Sequence, residues 1–257
     1  MHAIIMAGGK GTRLRDIIGN QPKVLAKLDH EYDILGVLIE QLGHFGFNRI
    51  TVCVSYLAEA IKSSARCLSG AARIEYCLDQ GSTGTAGPLL GVAAFTDPAL
   101  VINGDVLTTM DFADLYATHM RRQAALTVAA VRVRLPVEYG VLEYSCGRVT
   151  GIAEKPGLDL VVNGGVYAVS PRVLSYLAAD SPMDMPELMT TLIQADEVVA
   201  AQSFDGPWYE LGTPAGLASG RAAFGAERER FVAPPSSSVS RRFFDLCTAD
   251  PIVPGRA

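Results

Sequence analysis

Short apolar runs take turns with amphipathic stretches along the first 105 residues, and few folds accommodate that alternation. Ala3-Ile4-Ile5-Met6-Ala7 reads as a buried strand, broken sharply by Gly8-Gly9-Lys10-Gly11-Thr12-Arg13. Ile34, Leu35, Leu38, Leu42 and Phe45 then recur at helical spacing behind Asp33, which is placed to cap the helix start. Residues 50–54 form a second strand pattern, 57–68 a second helix and 73–78 a third strand. A Gly/Ser/Thr loop and a small-residue helix around 88–95 follow, before Leu100-Val101-Ile102 runs into Asn103-Gly104-Asp105. Strands alternating with helices predict a parallel sheet covered on both faces.

From residue 127 the pattern changes. Segments 127–134, 140–144, 148–153 and 161–169 read as strands joined mostly by short turns, after a helix over 111–122. They predict an antiparallel extension beside the first sheet. The fold class is therefore α/β, a Rossmann-like three-layer α/β/α arrangement with a mixed central sheet. Ser170-Pro171, Asp184-Met185-Pro186 and Thr213-Pro214 each carry a cap next to a first-turn proline and predict three later helices. The tail, 226–257, contains Pro-Pro-Ser-Ser-Ser and receives no role.

Composition narrows the function. With 22 Lys plus Arg against 27 Asp plus Glu the net charge is −5, which excludes a basic nucleic-acid-binding tail. A hydrophobic fraction of 49% describes a chain with a packed core. The five cysteines lack paired metal-ligand spacing, so a reduced, cytoplasmic chain without structural zinc is expected. No run approaches the roughly 20 apolar residues of a membrane span.

The loop 8–13 carries the first chemistry. Its glycines let backbone N–H groups approach an anion, and Lys10 and Arg13 add cationic donors, which suits a polyphosphate. The spacing fails a P-loop, because Gly11 follows Lys10, and it fails the dinucleotide fingerprint, because Leu14 stands where the third glycine belongs. Taken alone, the loop also fits a tight turn with solvated charges. Asp105 closes an apolar strand at the carboxyl edge of the sheet, where open α/β sheets bind ligands, and reads as a Mg²⁺ ligand or as the cap of the next turn.

Seven motifs in order extend the pattern: Ala7-Gly8-Gly9-Lys10-Gly11-Thr12-Arg13-Leu14 with Gln21-Pro22-Lys23, Gly84-Thr85-Ala86-Gly87-Pro88, Asn103-Gly104-Asp105, Tyr139-Gly140-Val141, Glu154-Lys155-Pro156, Asn163-Gly164-Gly165, and Trp208-Tyr209-Glu210-Leu211-Gly212-Thr213-Pro214. The chain in this respect resembles the sugar-1-phosphate nucleotidyltransferases over residues 3 to 220, with a form closest to mannose- and heptose-1-phosphate guanylyltransferases. The resemblance implies a GT-A-like fold and a Mg²⁺-assisted, in-line attack by a sugar 1-phosphate on the α-phosphorus of a nucleoside triphosphate, releasing pyrophosphate. The attacking phosphate is already ionised at pH 7, so positioned cations matter more than a general base.

On that resemblance, residues 1–225 form the nucleotidyltransferase domain, with a nucleotide-binding half over 1–105 and a sugar-binding half over 106–225. Arg13 and the segment Ala7, Gly8, Gly9, Lys10, Gly11 and Thr12 hold the triphosphate, and Lys23 reaches the α-phosphate or the incoming phosphate. Asp79, Gln80, Gly84 and Thr85 read the base, and GTP is favoured because a carboxylate can accept from both N–H groups of guanine. Gly140, Glu154, Lys155, Asn163 and Gly165 receive the sugar phosphate. The second metal ligand, usually Asp in this family, is here Glu210, one methylene longer, with Asp105 as its partner.

The resemblance also implies that 257 residues hold one such domain with about 30 to spare, without the appended acyltransferase or isomerase domain of some relatives. Exposed apolar strands in the second half are interface material for a homo-oligomer. Three other readings stand beside the guanylyltransferase: a thymidylyl- or uridylyltransferase on glucose 1-phosphate, a weakly catalytic regulatory homologue favoured by Glu210, and a nicotinamide-dependent dehydrogenase resting on Gly9-x-Gly11 and the nearby Asp29.

Overall fold

The computed structural model describes residues 1–9, 11–55, 57–65, 72–79, 84–93, 95–179 and 181–234. Lys10, Gln80, Cys67, Cys247 and the tail from 235 onward lie outside the described residues.

The first half builds strands β1 (His2–Met6), β2 (Arg49–Val54), β3 (Arg73–Leu78) and β4 (Ala99–Asn103), with helices α1 (Arg15–Ile18), α2 (Ile34–His44) and α3 (Ala58–Ala65) between them. β1 lies between β2 and β4, parallel to both, and β3 adds parallel to β2. Side chains of a strand covered on both faces alternate between two cores. Ala3 and Ile5 enter the core that holds Leu35, Leu38 and Leu42 of α2, whereas Ile4 and Val101 enter the opposite one with Leu188 and Leu192. Asp33 caps α2 as its sequence position predicts, accepting from Gly36 N at 2.9 Å.

The second half adds β5 (Val106–Thr108), α4 (Phe112–Arg122), β6 (Leu126–Pro136), β7 (Val141–Ser145), β8 (Arg148–Ala153) and β9 (Gly157–Val169). After these come α5 (Met185–Gln194), β10 (Val199–Phe204), β11 (Trp208–Glu210) and α6 (Pro214–Val232). β9 returns antiparallel to both β4 and β6, and β10 lies parallel to β6, giving the order β10-β6-β9-β4-β1-β2-β3. The sheet is therefore mixed, and the three-layer expectation holds.

Three details differ from the sequence reading. The segment expected as a helix around 88–95 is a 3-10 helix, Gly87–Gly91, and the helix expected after Ser170 is another, Pro171–Tyr176. β5, β10 and β11 were not foreseen. α6 spans Pro214–Val232 with a kink at Glu227. Among the described residues no helix is long and apolar enough to cross a membrane. Cys53, Cys77 and Cys146 are free thiols.

Candidate active site

The sheet reverses its direction of winding between β1 and β4, since β2 and β3 lie to one side of β1 and β4 to the other. Loops leaving the carboxyl ends of two such strands diverge and leave a crevice, the usual ligand site of an open α/β sheet. The chain leaves β1 there through Gly8 and Gly9, and Gly104-Asp105 leaves β4 beside it, with Met6 opposite Asn103 in the register.

Backbone contact draws the two turns together. Gly104 N donates to Met6 O at 2.9 Å, and a methyl on Gly104 would stand 2.6 Å from Val24 Cγ1 and 2.7 Å from Met6 O. Glycine is required because backbone and a buried valine fill the space. Val24 lies in the 3-10 turn Lys23–Leu25 behind Pro22, so packing it on Gly104 delivers the preceding side chain to the next carboxylate. Lys23 Nζ donates to Asp105 Oδ2 in an ion pair, both side chains being largely buried. Gly11, at φ +61, passes close to the same lysine, 3.2 Å from Lys23 Cβ to where a methyl would sit.

On the other flank, Ser55 follows the last residue of β2, and its hydroxyl donates to Gly8 O at 2.6 Å. Asp79, at the end of β3, donates its N–H to Val54 O at 2.8 Å, and its Oδ2 lies 3.6 Å from the position of a methyl on Gly8. Gly8 and Asp79 thus share one corner. Arg13 and Lys155 carry no hydrogen bond or ion pair among the described residues, so both cations are available to an anion.

A two-stranded ribbon brings in the last carboxylate. β11 pairs antiparallel with β5, placing Glu210 opposite Val106, and Leu211 N donates to Asp105 O at 2.7 Å. Glu210 Oε1 accepts from Gly212 N at 3.0 Å. A methyl on Gly212 would overlap Glu210 Oε1 and stand 3.0 Å from Asp105 Oδ2, so the two carboxylates converge on the space that glycine leaves open. Among the described residues no three His, Cys, Asp or Glu side chains cluster as a metal cage. Two carboxylates fit Mg²⁺ nonetheless, because that ion is usually held by one or two carboxylates together with substrate phosphates and water.

β9 closes the floor. Its register against β6 slips between Val128 and Ala130, where Gly164 and Gly165 form an irregularity with Gly165 at φ +69. Asn163 Oδ1 accepts from Gly165 N at 2.9 Å, and Trp208 Nε1 donates to Gly164 O at 2.9 Å. A methyl on Gly165 would lie 2.8 Å from Asn103 Nδ2, so this bend presses on the last residue of β4, just before Gly104-Asp105. Asn103, which the sequence reading did not select, has a buried Oδ1 without a hydrogen-bond partner, and its place directly before Gly104-Asp105 was the available signal.

Other expected site residues fall into two groups. Gly140 and Glu154 meet at the foot of the β7–β8 hairpin, with Glu154 Oε2 2.9 Å from the methyl position of Gly140, and Lys155 turns there at φ +44. Thr85 is engaged elsewhere: its N–H donates to Asp184 Oδ1 at 2.8 Å and its hydroxyl accepts from Met185 N at 2.9 Å. Gly84, at φ +74, abuts the carbonyl of Met183. These contacts lock the 84–86 turn onto the start of α5.

A family model described as nucleotidyl transferase matches residues 2–225. The mannose-1-phosphate guanylyltransferase catalytic subunit beta of Dictyostelium discoideum is 29% identical over 235 residues, covering 87% of this chain and 64% of that relative. The subunit of the same name from Danio rerio is 28% identical over 261 residues, covering 98% and 72%. The chain thus spans about two thirds of the length of these curated relatives. Among solved structures, HddC from Yersinia pseudotuberculosis superposes with a TM-score of 0.67 at 25% identity, covering 87% of this chain and 99% of that one, and it has also been solved complexed with GMP-PN. With the family match running across the glycine loop, the Lys23–Asp105 pair and the Glu210 ribbon, the chain belongs to the nucleotidyl transferase family.

Proposed function

We propose that this protein transfers a guanylyl group from GTP to a sugar 1-phosphate of the mannose or heptose type, forming a nucleotide sugar and pyrophosphate with Mg²⁺. The observation that carries this reading is the convergence of Lys23, Asp105 and Glu210 at the mouth of the β1–β4 crevice, beside the glycine loop. The reaction joins two polyanions, so its barrier is dominated by charge repulsion and alignment. Amides of the Gly8–Thr12 segment and the guanidinium of Arg13 hold the β- and γ-phosphates and stabilise the departing pyrophosphate. The Lys23 ammonium, anchored by Asp105, neutralises charge at the α-phosphate. Asp105 and Glu210 would hold the metal, which when bound offsets negative charge on the phosphate oxygens.

The division into a nucleotide-binding half, 1–105, and a sugar-binding half, 106–225, belongs to the same reading. Gly140 and Glu154 at the foot of the hairpin accept the ring and its hydroxyls, while Lys155 pairs with the sugar phosphate and Asn163 borders the floor. Asp79, whose Oδ2 lies beside Gly8, is assigned to accept from guanine N1–H and its exocyclic amine. Guanine is further supported by the names of the curated relatives and by the GMP-PN complex of HddC. A screen of GTP, dTTP, UTP, CTP and ATP against mannose, heptose and glucose 1-phosphates, read as pyrophosphate release, tests both choices. GTP with mannose or heptose 1-phosphate is expected to lead, and a clear pyrimidine preference would overturn the base assignment.

A further inference from the structure

Hydrogen bonds run in both directions between the 84–86 turn and the start of α5. Ala86 N donates to Met183 O at 2.9 Å and Thr85 N to Asp184 Oδ1 at 2.8 Å, while Met185 N donates back to Thr85 Oγ1 at 2.9 Å. Gly84 completes the fit, because at φ +74 a methyl on it would stand 2.3 Å from Met183 O and 3.0 Å from Asp184 Oδ1. The first amide of a helix has no partner within its own helix. Here Met185, the first residue of α5, finds its acceptor in a loop of the other half of the chain, and the next residue, Pro186, has no N–H to satisfy. Glu187 fixes Asp184 in turn, its Oε2 accepting from Asp184 N at 2.8 Å.

Capping α5 does not account for the whole arrangement. A carboxylate before a helix serves that helix by accepting from its second or third amide, whereas Asp184 Oδ1 also accepts from Thr85 N, 99 residues away. Thr85 and Asp184 are exposed, so water replaces much of what their bond contributes to stability. What the bond controls is placement. The segment assigned to the base, 79–85, begins where Asp79 N donates to Val54 O at 2.8 Å beside Gly8, and it ends on this tie. One end is carried by the sheet and the other by α5.

We propose that Asp184 is a positioning residue for the nucleobase, acting through Thr85. The tie presets the far end of the base-reading segment relative to Asp79, so an arriving nucleotide does not have to order it. This rests on the nucleotidyl-transfer reading, and it gives Thr85 a part in nucleotide binding without direct contact.

Calorimetric titration of the full chain with GTP and Mg²⁺, paired with steady-state pyrophosphate release, tests the tie. Asp184→Ala removes the acceptor of Thr85 N, and Thr85→Val removes the acceptor of Met185 N at nearly constant shape. Each is expected to weaken GTP binding and raise its KM by about three- to tenfold, the factor that one hydrogen bond carries, with kcat and the KM for mannose 1-phosphate within about twofold of wild type. Asp184→Asn keeps an acceptor oxygen and should restore GTP binding to within about twofold of wild type. Glu187→Ala removes a bond at the start of α5 without touching Thr85, so its melting temperature should fall while GTP binding holds. A folded Asp184→Ala that binds GTP as wild type does overturns the proposal, and if that variant does not fold, the same result for Thr85→Val overturns it. Glu187→Ala reproducing the whole effect also overturns it, since Asp184 would then act only as a helix cap. A wild type that binds GTP but releases no pyrophosphate with any sugar 1-phosphate refutes the transfer reading alone and leaves the binding comparison decisive for the tie, whereas a wild type that binds no nucleotide refutes both.

Discussion

Replacing Gly212 by alanine is expected to separate the two carboxylates while leaving the fold intact. The new methyl would overlap Glu210 Oε1 and lie 3.0 Å from Asp105 Oδ2. Glu210 is the far end of a flexible side chain, so it swings aside and surrenders the 3.0 Å bond from Gly212 N. That bond lies near solvent and water replaces much of it, so the cost in stability is about 1 kcal/mol or less, a fall of roughly 2–4 °C in melting temperature. The consequence for metal is larger. Disturbing a ligand's support typically costs 10–100-fold in metal affinity or activity, equivalent to about 1.4–2.7 kcal/mol. Thermal melting and the Mg²⁺ dependence of pyrophosphate release, measured on the same preparation, separate the two effects. A folded Gly212→Ala protein with the wild-type Mg²⁺ dependence and rate would refute the reasoning that Glu210 and Asp105 share one ion.

Further outcomes are expected elsewhere in the molecule. His119 is buried between Thr127 Oγ1 and Ser170 Oγ, each at 3.0 Å, and burial lowers its pKa from 6.5 to about 4. As pH falls below 6.5 the unfolded chain takes up the proton first, so stability declines between 6.5 and 4, by about 2 kcal/mol from pH 7 to 5 for this one group. Urea unfolding at the two pH values measures it. His119→Gln should flatten the slope in part, since His2, buried against Thr51 Oγ1 with its pKa also lowered to about 4, contributes in the same direction. Gly104→Ala forces a methyl against Val24 and the Met6 carbonyl and should cost about 1–3 kcal/mol in unfolding free energy. Lys23→Ala leaves the largely buried Asp105 carboxylate without its cation, with an expected loss of about 1–3 kcal/mol in stability and at least about 100-fold in kcat.

What the sequence made legible follows the range of the forces involved. The alternating pattern of β1 through β4, the Asp33 cap and the first-turn prolines of α5 and α6 are local signals, written in neighbouring residues, and the structure repeats them. β5 and β11 are three residues each, too short for a period to show, and they form because β11 pairs with β5 from about 100 positions away. The ordered motifs pointed to Glu210 as a metal ligand, but they could not show that Gly212 is glycine because both carboxylates turn toward the space a side chain would fill. Thr85 illustrates the opposite case. Its motif assigns it to the nucleotide, whereas its amide and hydroxyl are committed to Asp184 and Met185, nearly 100 residues later. Asn103 stands inside the Asn103-Gly104-Asp105 motif without an assigned role, and only tertiary packing exposes its unpaired buried oxygen.

The bond this protein is proposed to form can be observed directly by phosphorus NMR of wild type and Asp105→Asn incubated with GTP, mannose 1-phosphate and Mg²⁺. The wild type should convert the sugar phosphate signal into the paired diphosphate signals of a nucleotide sugar, with pyrophosphate appearing in equal amount, and Asp105→Asn should slow this at least about 100-fold. Hydrolysis of GTP to GDP and inorganic phosphate with mannose 1-phosphate left unchanged, or equal rates for the two proteins, would contradict an active centre built on Lys23, Asp105 and Glu210.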